Sequence, residues 1–394
     1  MRTKVFIFAL AIAQLTACTG SKAPGSTTAA DTLAAADAVE AGHTHHSVTF
    51  ETRKSSPERL FADSLFAIAD GREHYLDNLY GTCFTIEAQR DFDGDGITDA
   101  LVRDVQACGG NAVGDSFFFV TYDGKGGFVI TQAFGESVFD EPKILTDDDG
   151  LTVVSIVDTD INEYTEEVER TTLQYILADK QAVRYVKPQA VLAMPSISVA
   201  EWEALSIRAD TVPEEELTPE ELRLMEQCAI YEDLYSEKCS WYCGGQVQEV
   251  TASACHDKVG GQTYKAQYAH DFDHTHAWAS EGSGKGESLT YTFAGACPRV
   301  TDVKILNGDA RSQKDWEEHA RAKTIRMYYR DKLYAILRLD DSRSLQLFPV
   351  GVLGYHSDKS PDWTLRFEIA DTYPAKRHNF VVIPELYFDG IDVH

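Results

Sequence analysis

Asp91, Asp93, Asp95 and Asp99 stand at positions one, three, five and nine of the run Asp91-Phe92-Asp93-Gly94-Asp95-Gly96-Ile97-Thr98-Asp99, with glycine at position six. Carboxylates spaced this way in a tight loop gather hard oxygen ligands around one cation, and the backbone carbonyl at position seven, here Ile97, adds another. Gly96 permits the sharp turn that brings the acids together. Without a cation, four carboxylates this close repel one another. The chemistry implied is structural calcium coordination. An EF-hand would carry a bidentate glutamate at position twelve, where this chain has Val102, and Ala100-Leu101-Val102 reads as strand instead of helix. Cys83 and Cys108 flank the loop, so a disulfide between them would staple its two strands.

Two histidine groups offer other metal chemistry. His270, His274 and His276 lie beside Asp271 and Asp273 and make zinc an alternative ion there, with a surface histidine cluster as the plainer reading. His43, His45 and His46 could chelate a transition metal, although a solvated linker explains them more simply.

These residues need elements to hold them. The chain has 394 residues, long enough for two domains with real cores, and its 43% hydrophobic and 11% aromatic content fits globular protein. The formal charge of −27 repels phosphate backbones and anionic head groups, which argues against nucleic acid as a partner. Arg2 and Lys4 precede an apolar run from Val5 to Ala13, too short to span a bilayer. The run ends in Leu15-Thr16-Ala17-Cys18, which resembles the lipobox of bacterial lipoproteins. That resemblance implies removal of residues 1–17, diacylation of Cys18, and anchorage in the cell envelope, at the outer membrane of a Gram-negative bacterium. Beyond Cys18 the seven cysteines Cys83, Cys108, Cys228, Cys239, Cys243, Cys255 and Cys297 would then meet an oxidising compartment that favours disulfides. Their odd number leaves one thiol over. Cys239 and Cys243 could close a small loop, with Cys228, Cys255 and Cys297 equally open as partners.

Residues 18–47 are rich in Ala, Thr, Ser, Gly and Asp and cannot bury enough apolar surface to offset ordering, so they read as a tether. Residues 48–190 show short β-patterned runs, Ser116 to Tyr122, Gly127 to Thr131, Leu151 to Val157 and Thr172 to Leu177, separated by turns such as Asp147-Asp148-Asp149-Gly150. This predicts an antiparallel β domain, with a helix over Pro57 to Ala69. Residues 196–237 predict a helical bridge, because Ser198-Val199-Ala200-Glu201 is a capping box and Thr218-Pro219-Glu220-Glu221 repeats the signal. From residue 238 to 394 alternation returns, with Arg330-Asp331-Lys332 as a tight turn, and predicts a β-sandwich. The expected fold class is therefore mainly β.

Two further resemblances follow. The loop at Asp91–Asp99, running straight into a strand, resembles the calcium loops of FG-GAP and VCBS-type repeats. Cys239-Ser240-Trp241-Tyr242-Cys243-Gly244-Gly245, Ala269-His270-Asp271-Phe272-Asp273, Ala277-Trp278, Val303-Lys304-Ile305-Leu306-Asn307-Gly308, Tyr334-Ala335-Ile336-Leu337, Asp341-Ser342-Arg343 and Glu385-Leu386-Tyr387-Phe388 together resemble the NADase-type glycan-binding, or NAD-glycohydrolase translocation, domain. That family is discoidin-type and galactose-binding-like. It implies a jelly roll that binds carbohydrate through end loops without catalysis, and a structural calcium held by Asp271, Asp273 and Glu385. His276 and Phe272 depart from the family pattern at the loop. Asn307, Trp316, His319 and Arg321 supply an aromatic face and planar polar groups suited to sugar hydroxyls.

The sequence carries no Gly-x-Ser-x-Gly, HExxH, P-loop or Rossmann fingerprint. The expected function is non-catalytic glycan binding, with no nucleotide partner. Docking of another envelope protein is the alternative, and a glycan-processing enzyme using acids such as Asp340 and Asp341 stands behind both.

Overall fold

The computed structural model describes residues 47–76, 83–105, 114–137, 140–161, 168–235, 241–259 and 261–392. Cys18, the tether histidines, Cys108 and Cys239 lie outside them, as does the side chain of Cys243.

The chain opens on a three-stranded antiparallel sheet of β1 (Val48–Arg53), β2 (Ser64–Ala69) and β3 (Arg72–Leu76). The helix expected over Pro57 to Ala69 is absent. Leu65, Ala67 and Ala69 are buried while their neighbours are less so, a period-two pattern that suits a strand between two others and no helical face. A second sheet holds β4 (Phe84–Arg90), β5 (Asp99–Asp104), β6 (Asp115–Tyr122), β7 (Phe128–Ile130) and β8 (Phe134–Ser137). Val48, Phe50 and Leu65 of the first sheet share a core with Ala100, Val102, Phe118 and Val120 of the second.

Next come β9 (Lys143–Thr146), β10 (Thr152–Ile161), β11 (Val168–Ala178) and β12 (Gln181–Val186), then β13 (Ala190–Ala193). Three helices follow: α1 (Val199–Thr211), α2 (Pro219–Gln227) and α3 (Ala229–Tyr235). Both expected capping boxes are formed, Ser198 with Glu201 and Thr218 with Glu221. Ile230, Tyr231 and Leu234 of α3 pack on Leu306, Leu345 and Tyr387, so the bridge is seated on the following region.

That region contains β14 (Val247–Ala252), β15 (Trp278–Ala279), β16 (Ser288–Phe293), β17 (Val300–Leu306), the short α4 (Gln313–Glu318), β18 (His319–Tyr329), β19 (Lys332–Arg338), β20 (Ser344–Leu353), β21 (Trp363–Tyr373), β22 (His378–Ile383) and β23 (Glu385–Gly390). Strands β13-β20-β17-β23 form one wall of a β-sandwich jelly roll, and β14-β16-β21-β18-β19 run through the other. Trp241, Trp278, Tyr291, Phe293, Trp363 and Phe388 fill the space between with aromatic edges and faces. Arg330 and Asp331, both at positive φ, make the expected tight turn between β18 and β19.

One pairing joins the two β regions. β12 pairs in parallel with β19, matching Arg184 with Ala335 and Val186 with Leu337, so β9–β12 extend the wall of the sandwich. Val153, Ile176, Val183 and Tyr185 pack there with Leu333 and Ile336. Asp149, from the turn before β10, adds ion pairs at 2.6 Å to Lys323 and 2.6 Å to Arg338. The expected break near residue 190 is thus crossed by a continuous sheet.

Candidate metal sites and carbohydrate face

The acidic loop connects β4 to β5. Gly94 and Gly96 both take positive φ, 82° and 85°, which L side chains rarely adopt. Asp91 accepts from the amides of Gly94 at 2.7 Å and Gly96 at 2.9 Å, Asp95 accepts from Ile97 at 2.8 Å, and Asp99 Oδ2 accepts from Phe92 at 2.9 Å. The loop is thereby curled around its own carboxylates. Asp91, Asp93 and Asp99 each bring an oxygen within 4.8 Å of the others, the one acid, histidine or cysteine group of this kind among the described residues.

Asp99 is the decisive member. It is 0% exposed, and its Oδ1 has no hydrogen-bond partner. Burial pushes its pKa up to about 6, against the pull of the Phe92 amide and the Thr121 hydroxyl. Burial also raises Asp93. A buried aspartate with one oxygen unpartnered, converging with two more carboxylates, fits a hard divalent cation held by Asp91, Asp93 and Asp99. Asp95 is not one of the three that converge, and it lies 3.3 Å from Lys180, which is also 3.4 Å from Asp93. Cys83, beside β4, is buried and disulfide-bonded, while its expected partner Cys108 is not among the described residues.

The second acidic set differs. Phe272 takes φ 59°, so Asp271 and Asp273 flank a left-handed residue. His276 Nδ1 lies 2.8 Å from Asp271, and Thr275 gives its amide (3.0 Å) and hydroxyl (2.6 Å) to Asp273. Glu385, at the start of β23, is 0% exposed, and neither oxygen has a hydrogen-bond partner. Burial, reinforced by the charge of Asp271, lifts it well above the usual carboxylate range, while the amides of Asp273 and Phe272 act in the opposite sense. Asp271, Asp273 and Glu385 do not gather as the first group does, and neither do the three histidines. His270 Nδ1 is spent on the Leu386 carbonyl at 3.0 Å, and burial lowers its pKa. No ion is assigned to this set.

Asn307, Trp316, His319 and Arg321 do meet, at the end of the sandwich where β17 leaves and β18 begins. Asn307 is 0% exposed and exchanges two hydrogen bonds with Ala322, at 2.7 and 3.0 Å. Its main-chain carbonyl accepts from Trp316 Nε1 at 3.0 Å. Arg321, also buried, forms a bidentate pair with Asp341 (2.9 and 3.0 Å), donates to the carbonyls of His319 and Pro374 (each 2.9 Å), and lies 4.3 Å over the Trp316 ring. His319 is buried, its Nδ1 2.8 Å from the Asp315 carbonyl and its ring stacked on His378. Gly308 seals the group: a Cβ there would lie 2.6 Å from both Arg321 Cγ and Trp316 Cδ1. The polar groups chosen for sugar hydroxyls are mostly spent on internal partners, and Asp341 is spent with them.

The opposite end of β18 carries an arrangement that the sequence reading passed over. Tyr355, in the loop between β20 and β21, is 55% exposed. The Arg330 guanidinium lies 4.4 Å over its ring and 5.4 Å over that of Tyr329, and Arg330 Nη1 donates to the Tyr355 hydroxyl at 3.2 Å. Arg330 Nε and Nη2 are buried and have no hydrogen-bond partner. The available signal was Gly354-Tyr355 after a long strand, but it places an aromatic in a loop without saying what backs it.

Residues 241–389 match the family model of the NAD glycohydrolase translocation F5/8 type C domain. No curated protein matches the chain. The matched span runs from the buried Trp241 to Asp389 in β23, so it takes in β14 to β23 and agrees with the discoidin-like resemblance drawn from the same residues. Beside the matched span, β13 and β12 are added to the two walls by segments that lie before it.

Proposed function

We propose that the protein binds carbohydrate through its F5/8 type C domain, catalyses no reaction, and is held in the cell envelope by a lipid on Cys18. The observation that carries this reading is the family match over a complete jelly roll. Among the described residues no helix is long and apolar enough to cross a membrane. The lipobox supports anchorage: Cys18→Ser should move the protein from the membrane fraction to the soluble one, and unchanged fractionation and mass would contradict it.

In this reading the sugar sits on Tyr355, backed by Arg330. A tyrosine more than half exposed and backed by a guanidinium offers a rigid platform for C–H stacking. Calcium is a structural ion of the Asp91–Asp99 loop in this reading, with no part in sugar contact. Binding of the full chain to a broad panel of immobilised glycans tests the function; a chain that ignores glycans and captures an envelope protein instead would favour docking.

A further inference from the structure

Lys180 ties the acidic loop to a distant hairpin. β11 and β12 are joined by the two-residue turn Asp179-Lys180, with φ 48° and 60°. Such turns favour Asn-Gly, and non-glycine residues at both positive-φ positions are held only by their surroundings. The turn carries the Lys180 ammonium to 3.4 Å from Asp93 Oδ2, 3.3 Å from Asp95 Oδ2 and 3.4 Å from Thr121 Oγ1. Asp93 is also one of the three acids whose oxygens converge, and the buried Asp99, whose Oδ1 has no partner, is another.

We propose that Lys180 is a tethered counter-ion of this loop, displaced from Asp93 and Asp95 when a divalent cation binds. The inference rests on the calcium reading of the loop. A single positive charge already stands against two of the four aspartates, and a second cation on Asp93 must share that carboxylate and repel the ammonium. The contacts are long for charge-assisted hydrogen bonds and Lys180 is partly exposed, so the side chain can leave for water. The lysine then holds the loop together when calcium is scarce and weakens calcium binding by the attraction that must be broken.

Calcium titration by calorimetry on the full chain and on Lys180→Met tests this. Methionine keeps an unbranched stem and removes the charge. The variant should bind calcium about fivefold more tightly, the scale of one partly exposed ion pair. In the wild type, acylation of Lys180 by an isotope-coded reagent should rise on calcium saturation, which needs no substitution to fold. Equal or weaker affinity in Lys180→Met, or labelling that does not rise, overturns the proposal while leaving the calcium loop standing. A wild type that binds no calcium brings down the loop reading and this inference together.

Discussion

Asp99→Asn should stabilise the calcium-free protein and remove most of the stabilisation that calcium brings. The wild-type carboxylate sits fully buried with Oδ1 unmatched, and its raised pKa records the cost of charging it there. Asparagine keeps an oxygen for the Phe92 amide and turns an N–H₂ group toward Asp91 and Asp93, where a donor is wanted. In chelator the variant should gain about 2 kcal/mol, read as a higher melting temperature. In calcium the order should reverse, because a ligand bound only by the native state stabilises the wild type by mass action. A variant less stable than wild type in chelator, or one with an undiminished calcium response, would contradict the assignment.

Arg321→Ala should cost about 3 kcal/mol of stability, whatever it does to binding. The change removes both bonds to Asp341, strands the carbonyls of His319 and Pro374, and takes away the cation that covers Trp316. Lysine would fare little better, since one ammonium cannot reproduce a fork that satisfies a carboxylate and two carbonyls at once. Chemical denaturation followed by tryptophan fluorescence measures the loss. A variant of wild-type stability would show that the Arg321 network adds little to the fold.

Local signals survived the passage from sequence to structure best. The two capping boxes and the Arg330-Asp331 turn depend on a few neighbouring residues, and each formed as read. Strand β21 was legible because its side chains alternate between buried and half-buried with period two, while β6, β10 and β11, buried on both faces, were legible as short apolar runs between turns. The segment from Pro57 was misread as helix although Leu65, Ala67 and Ala69 carry that same period, since the polar stretch before them hid it. Parallel pairing of β12 with β19 was invisible, because strands so far apart in the chain leave no mark in either sequence. The same distance hid Lys180 from its loop: its type says cation, and only the hairpin says where. Asn307 and Arg321 show the converse, for a polar side chain that can bind a sugar can equally satisfy a carbonyl inside the fold, and residue type does not choose between them.

The most direct test of the account is binding of the purified full chain to a broad glycan array, with Tyr355→Ala and Arg330→Gln measured beside it. Tyr355 is largely exposed, so its removal should leave the melting temperature near that of wild type while glycan binding falls by about tenfold or more. Arg330→Gln should weaken binding less, by removing the cation that backs the Tyr355 ring. Wild-type binding that survives both substitutions would move the sugar to another face of the sandwich. A folded wild type that binds no glycan would contradict the proposed function itself.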